Sequence, residues 1–173
     1  MIYNDYKRAR NASWECLIEC EISSLPTDLS KICRHYGIQI VKNSNLTVNK
    51  LHSDERGKAI QLDEKYYIIV RDSDSVQAQR YTIAHELGHI LINSASEYEA
   101  ERFAIGILAP ACVLWGLNLK TPGEIAKACN ISIKSAVIRA QRMQLLYERN
   151  KFLTDPLERE LYKQFENYIN EQN

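Results

Sequence analysis

His85-Glu86-Leu87-Gly88-His89 brings together the residue types that a metal-dependent hydrolase needs. Two histidines four apart share a face of an α-helix, so both imidazoles can meet one ion. A glutamate directly after the first histidine stands where it can handle the proton of an attacking water. Zinc suits two neutral imidazoles and a carboxylate, with one coordination position left for water. The chemistry expected is attack of zinc-bound water on a carbonyl, with Glu86 as general base.

A third protein ligand is needed, and no histidine continues the motif as HExxHxxGxxH does. Glu97, Glu99 and Glu101 are the local candidates. Periodicity leaves the three close to even. Glu99 is preferred because it precedes Ala100 and stands four before Phe103, on the face a helix turns toward the core. Gly88 costs helix propensity by about 0.5–1 kcal/mol relative to alanine, which is tolerable where another chain segment must approach closely.

These residues need elements to hold them. A helix is expected over residues 4–20, then a short one opened by Pro26 or Thr27 and ended before Gly37. Ile38–Val41 reads as a strand, and Leu46-Thr47-Val48 as another. Ala59–Leu62 and Tyr66–Val70 read as a hairpin, with Tyr66–Val70 the central strand. The motif helix runs from about Val76 to Leu91, capped by Asp74 or Ser75. A second, capped by Ser96, runs from Glu97 to Leu108. After Pro110 the chain is wholly helical: Thr121 caps one helix with Glu124 at its third position, Ser132 or Ile133 opens the next, and Asp155-Pro156 opens a last one. The fold class expected is α+β: mostly helical, with a small antiparallel sheet packed against the HExxH helix and a C-terminal helical lobe. The division expected is a zincin-like core over residues 1–115 with its N-terminal helices, and a lobe over 116–173 resembling a helix-turn-helix and packed on the core.

The whole chain carries few other signals. It has 173 residues, 45% hydrophobic and 25% charged, with no net charge. That suits an ordinary globular fold and advertises no nucleic-acid ligand. No apolar run approaches a membrane span, and the first residues do not read as a signal peptide, so a cytoplasmic location is the default expectation. Cys16, Cys20, Cys33, Cys112 and Cys129 are odd in number and lack a CxxC, which favours free buried thiols.

The text Arg80-Tyr81-Thr82-Ile83-Ala84 leading into His85–His89, then Glu97-Tyr98-Glu99-Ala100-Glu101-Arg102-Phe103-Ala104 and Ile107-Leu108-Ala109-Pro110, resembles the ImmA/IrrE family of zinc metallopeptidases. The resemblance covers roughly residues 5–145. It implies a gluzincin-like core, His85, His89 and Glu99 as zinc ligands, and Glu86 as the catalytic base. It further implies site-specific cleavage of a helix-turn-helix transcriptional repressor encoded nearby. Such proteins are carried on phages and other mobile elements, and some are partners of toxin–antitoxin systems. The chain departs from the pattern at Ile90–Asn93, where many relatives carry a further histidine, and at Ala109, where a larger apolar residue is common.

A competing reading is a non-proteolytic regulatory protein, stabilised by its metal and binding a repressor, an antitoxin or DNA. Lys120 to Lys151 holds seven basic residues and two acidic ones. Lys134, Arg139 and Arg142 are the candidates for phosphate contact. Arg80 reads either as a substrate clamp or as a salt-bridge residue. Tyr66, Tyr67 and Tyr98 are possible oxyanion donors, and His35 and His52 have no partner at metal-site spacing.

Overall fold

The computed structural model describes residues 2–173. The chain opens with helices α1 (Ile2–Glu19) and α2 (Leu29–His35) and strand β1 (Gln39–Lys42). Strands β2 (Gly57–Leu62) and β3 (Lys65–Val70) follow, and then the two long helices α3 (Val76–Ile92) and α4 (Glu97–Leu108). The remainder is helical: α5 (Ala111–Gly116), α6 (Pro122–Cys129), α7 (Ile133–Glu148), α8 (Pro156–Gln164) and α9 (Glu166–Gln172). No described helix is long and apolar enough to cross a membrane.

The sheet has strand order β1-β3-β2. β2 and β3 form the expected antiparallel hairpin, with Gly57 opposite Val70 and Leu62 opposite Lys65. Its two-residue turn, Asp63-Glu64, takes positive φ at both positions, the twist such a connection needs. β1 adds to the other side of β3 in parallel, with Gln39 opposite Tyr67, so the sheet is mixed rather than purely antiparallel. Leu46-Thr47-Val48 forms no strand. It lies in a bend after a short 3-10 turn at Asn43–Asn45, and Val48 is exposed. β3 is the central strand and buries Ile68, Ile69 and Val70.

Local chemistry sets the helix ends near the site. The Ser75 hydroxyl caps α3 by accepting from the Ala78 N–H, and Asn93 ends the helix in the left-handed region at φ 52°. Ser96 caps α4 by accepting from the Glu99 N–H. Only four residues, Asn93–Ser96, therefore separate the two helices, and they double back tightly on each other.

Two glycines set how closely other elements approach α3. A Cβ on Gly88 would stand 2.9 Å from Ala100 Cα and 3.2 Å from its carbonyl oxygen, so the backbone of α4 lies directly against α3. A Cβ on Gly57 would collide with the Thr82 methyl, so the start of β2 is equally close. The glycine pair thus brings both the sheet edge and the next helix onto the motif helix.

The core is continuous from the first helix to the last. Leu17, Ile32, Ile68, Leu87, Phe103, Ile107, Leu114, Ile125, Met143, Leu161 and Phe165 belong to one buried apolar cluster. All five cysteines are free and buried. α6 carries the full capping box, with the Thr121 side chain on the Glu124 N–H and the Glu124 carboxylate on the Thr121 N–H. The last helical stretch divides at Phe165, which leaves Leu161, Phe165 and Ile169 facing the core.

Candidate metal centre and active site

α3 presents His85 and His89 on one face, with their Nε2 atoms 3.2 Å apart. The third group is Glu97, on the first turn of α4. Its carboxylate oxygens lie 3.1 Å from His85 Nε2 and 3.3 Å from His89 Nε2. These three residues form a donor cluster able to hold a metal ion.

The separations can be compared with what an ion requires. A tetrahedral ion with bonds of about 2.0–2.1 Å holds its ligand atoms about 3.3–3.4 Å apart. The two imidazole nitrogens, 3.2 Å apart, meet that requirement closely, and each has a different Glu97 oxygen beside it, Oε2 at 3.1 Å from His85 and Oε1 at 3.3 Å from His89. His89 is also fixed in the correct tautomer. Its Nδ1 lies 2.7 Å from the Ser94 carbonyl oxygen, which can only accept, so the proton sits on Nδ1 and Nε2 offers its lone pair. His85 Nδ1 is buried without a hydrogen-bond partner among the described residues. The donor set fits a divalent metal ion.

Glu99, the third ligand expected from the sequence, faces elsewhere. It is buried, as its place on the core-facing stripe requires, and it lies outside the cluster formed by His85, His89 and Glu97. Arg8 of α1 clamps it with Nε on one carboxylate oxygen at 2.6 Å and Nη2 on the other at 2.5 Å. The Ser94 hydroxyl donates to it as well. Arg8 and Ser94 hold the carboxyl below its ordinary range. Its carboxylate is thus engaged by Arg8 and Ser94, and the acid that lies beside the two imidazoles is Glu97. Glu101, the other local candidate, is exposed and lies outside the donor cluster.

Glu86 lies between the motif helix and the sheet. One of its oxygens accepts the Ala59 N–H of β2 at 2.9 Å. That N–H therefore points away from β3, along the open edge of β2. Burial raises the Glu86 carboxyl above its ordinary range. The imidazoles are mostly covered, at 16% and 20% exposure, whereas the Glu97 side chain is 74% exposed. The donor triangle thus opens toward solvent on the Glu97 side.

Other sequence candidates have structural work. Arg80 donates to the carbonyls of Thr27 and Asn130, and Gln77 donates to the Asn130 side chain, so the first turns of α3 pin the α6–α7 turn. Tyr81 stacks beside His85 at 6.1 Å between ring centroids, and burial raises its hydroxyl pKa. Tyr98 lies under the Arg102 guanidinium. His35 packs edge-on against Tyr36. Of the three basic residues proposed for phosphate contact, only Lys134 is exposed. Arg139 is buried and donates to the Ile105 carbonyl, and Arg142 lies over Tyr6 and donates to its hydroxyl.

A two-histidine, one-carboxylate donor set on adjacent helices, with a half-buried glutamate against a sheet edge, defines a metallopeptidase-type site. Comparison with family models matches residues 33–140 to the IrrE N-terminal-like domain of peptidase family M78, and the chain belongs to that family. A search of curated proteins found no match.

Proposed function

We propose that this protein is a zinc-dependent endopeptidase that makes a site-specific cut in an intracellular protein, a helix-turn-helix repressor encoded beside it. His85, His89 and Glu97 hold the ion, and Glu86 is the general base. The observation that carries the reading is the donor triangle with Glu86 beside it and an open side. The peptidase family supports a protein substrate. The repressor as substrate rests on the resemblance at His85–His89 and Glu97–Ala104.

A zinc ion held there supplies Lewis-acid polarisation of a carbonyl and acidifies water. The chain's own residues do the rest. Ala59 fixes one Glu86 oxygen, which leaves the other to accept a proton from water and return it to the leaving amine. Ser94 holds the His89 ring in place. β2 is an outer strand of the sheet, so an extended peptide can lie along its free edge by backbone pairing.

The test is co-expression with the product of the neighbouring gene, followed by intact-mass measurement. Discrete fragments are expected with the native chain. Glu86→Gln should bind metal normally and lose cleavage by about a hundredfold or more. Fragments that persist undiminished with purified Glu86→Gln would defeat the mechanism.

A further inference from the structure

A cavity of about 320 Å³ lies between α1, α4, α7 and the turn before α8. None of His85, Glu86, His89 or Glu97 lines it. Its lining does include six cationic side chains, Arg10, Arg102, Arg139, Arg142, Arg149 and Lys151, against a single acid, Glu158. Like charges gathered in a partly enclosed space repel one another, and burial also works against them. Burial, with Arg142 and Arg102 nearby, pulls the Arg139 guanidinium down to about 10. Burial pushes the Glu158 carboxyl up, which weakens it as a counter-charge.

Arg10 is paired with Asp155 at 2.9 Å, but no carboxylate pairs with the other five cations among the described residues. Arg139 is only 9% exposed; one terminal nitrogen donates to the Ile105 carbonyl at 2.8 Å, yet its Nε is buried with no acceptor among the described residues. The Nε atoms of Arg102 and Arg142 are in the same state. Buried donors are nearly always paired, so three orphans around one cavity mark a missing acceptor. Water can satisfy a donor but cannot offset an excess of positive charge. The remaining wall carries the polar groups of Tyr6, Ser13 and Thr154 and an apolar part formed by Trp14, Ile105 and Leu146, with Ile138 and Leu145 left exposed at 49% and 40%.

We propose that this cavity binds a phosphate-bearing small molecule of about mononucleotide size. Guanidinium forks hold the phosphate and the apolar wall takes the organic body. The volume falls at the lower end of small-molecule sites. The site is separate from the peptidase centre and does not rest on that reading.

Calorimetric titration of the full chain with ATP, pyrophosphate and adenosine tests it. ATP should bind more tightly than pyrophosphate, and adenosine should give no signal. Arg139→Met should weaken ATP about tenfold or more. Because that buried change can disturb folding, a second variant is used on the exposed side. Arg149→Ala with Lys151→Ala should weaken ATP severalfold while the ligand-free melting temperature stays unchanged. Absence of ATP and pyrophosphate binding at millimolar concentration overturns the proposal. So does equal affinity in native and both variant proteins, the cations then serving the fold alone. ATP binding no tighter than pyrophosphate removes the organic ligand and leaves only an inorganic anion.

Discussion

His89 is joined to Ser94 by a 2.7 Å hydrogen bond from ring Nδ1 to backbone carbonyl, and the same Ser94 gives its hydroxyl to Glu99. Arg8 completes the chain by clamping Glu99. Glu99 is therefore linked to His89 through Ser94 of the α3–α4 loop, while Glu97 reaches both imidazoles directly. Glu97→Ala should abolish equimolar metal binding. Glu99→Gln should keep equimolar metal when saturated, with affinity weakened about ten- to a hundredfold. Elemental analysis of the purified variants separates the two roles, and full occupancy in Glu97→Ala would return Glu97 to the rank of a surface acid.

Metal removal should lower stability. His85, His89 and Glu97 bring one donor atom each to a place where a single cation can be held, and an ion that binds only the folded chain stabilises it. At a hundredfold excess over Kd the gain is about 2.7 kcal/mol, or about 5–10 °C for a chain of this size. Thermal melts with and without a chelator measure it. A melting temperature indifferent to chelation and to added zinc would count against a metal in this site.

Gly88 tests whether helix proximity builds the centre. Gly88→Ala inserts a methyl where the Ala100 backbone and Phe103 Cβ already stand within 3.2 Å. α4 must then move away, which costs about 1–3 kcal/mol and pulls Glu97 from the imidazoles. Gly123→Ala is the control: nothing lies within 4 Å of its would-be Cβ, and it lies inside α6. That change should be neutral or stabilising by up to about 1 kcal/mol. Denaturant midpoints distinguish the pair, and comparable losses in both would remove the close approach as the cause.

The metal motif was legible in the sequence because both histidines lie on one helix, where spacing alone determines direction. The same holds for the Ser75, Ser96 and Thr121 caps and for the β2–β3 hairpin. Which of Glu97, Glu99 and Glu101 lies beside the imidazoles was not legible, for a definite reason. Periodicity correctly marks Glu99 as core-facing, but which side of α4 meets α3 depends on the left-handed turn at Asn93 and on the contact at Gly88. Composition likewise suggested an outward basic surface, whereas Arg139 and Arg142 turn inward onto a carbonyl and a tyrosine. The parallel addition of β1 depends on long-range pairing that no local pattern records.

Glu158 gives the chain a pH dependence away from the metal centre. It is 4% exposed, and burial holds its carboxyl above the ordinary range despite the Thr154 N–H and nearby Arg10. A carboxyl whose pKa is raised on folding binds its proton more tightly in the native state. Its favourable contribution is therefore complete below the unfolded value of about 4.3 and is lost as pH rises through the higher native value. Glu158→Gln keeps the acceptor for Thr154 but cannot ionise. The variant should gain stability relative to the native chain on passing from pH 4 toward neutrality, as read from urea midpoints at a series of pH values. A stability difference that stays constant across that range would mean that the Glu158 carboxylate is neutralised as well in the fold as in water, with the cationic cavity lining serving as its counter-charge.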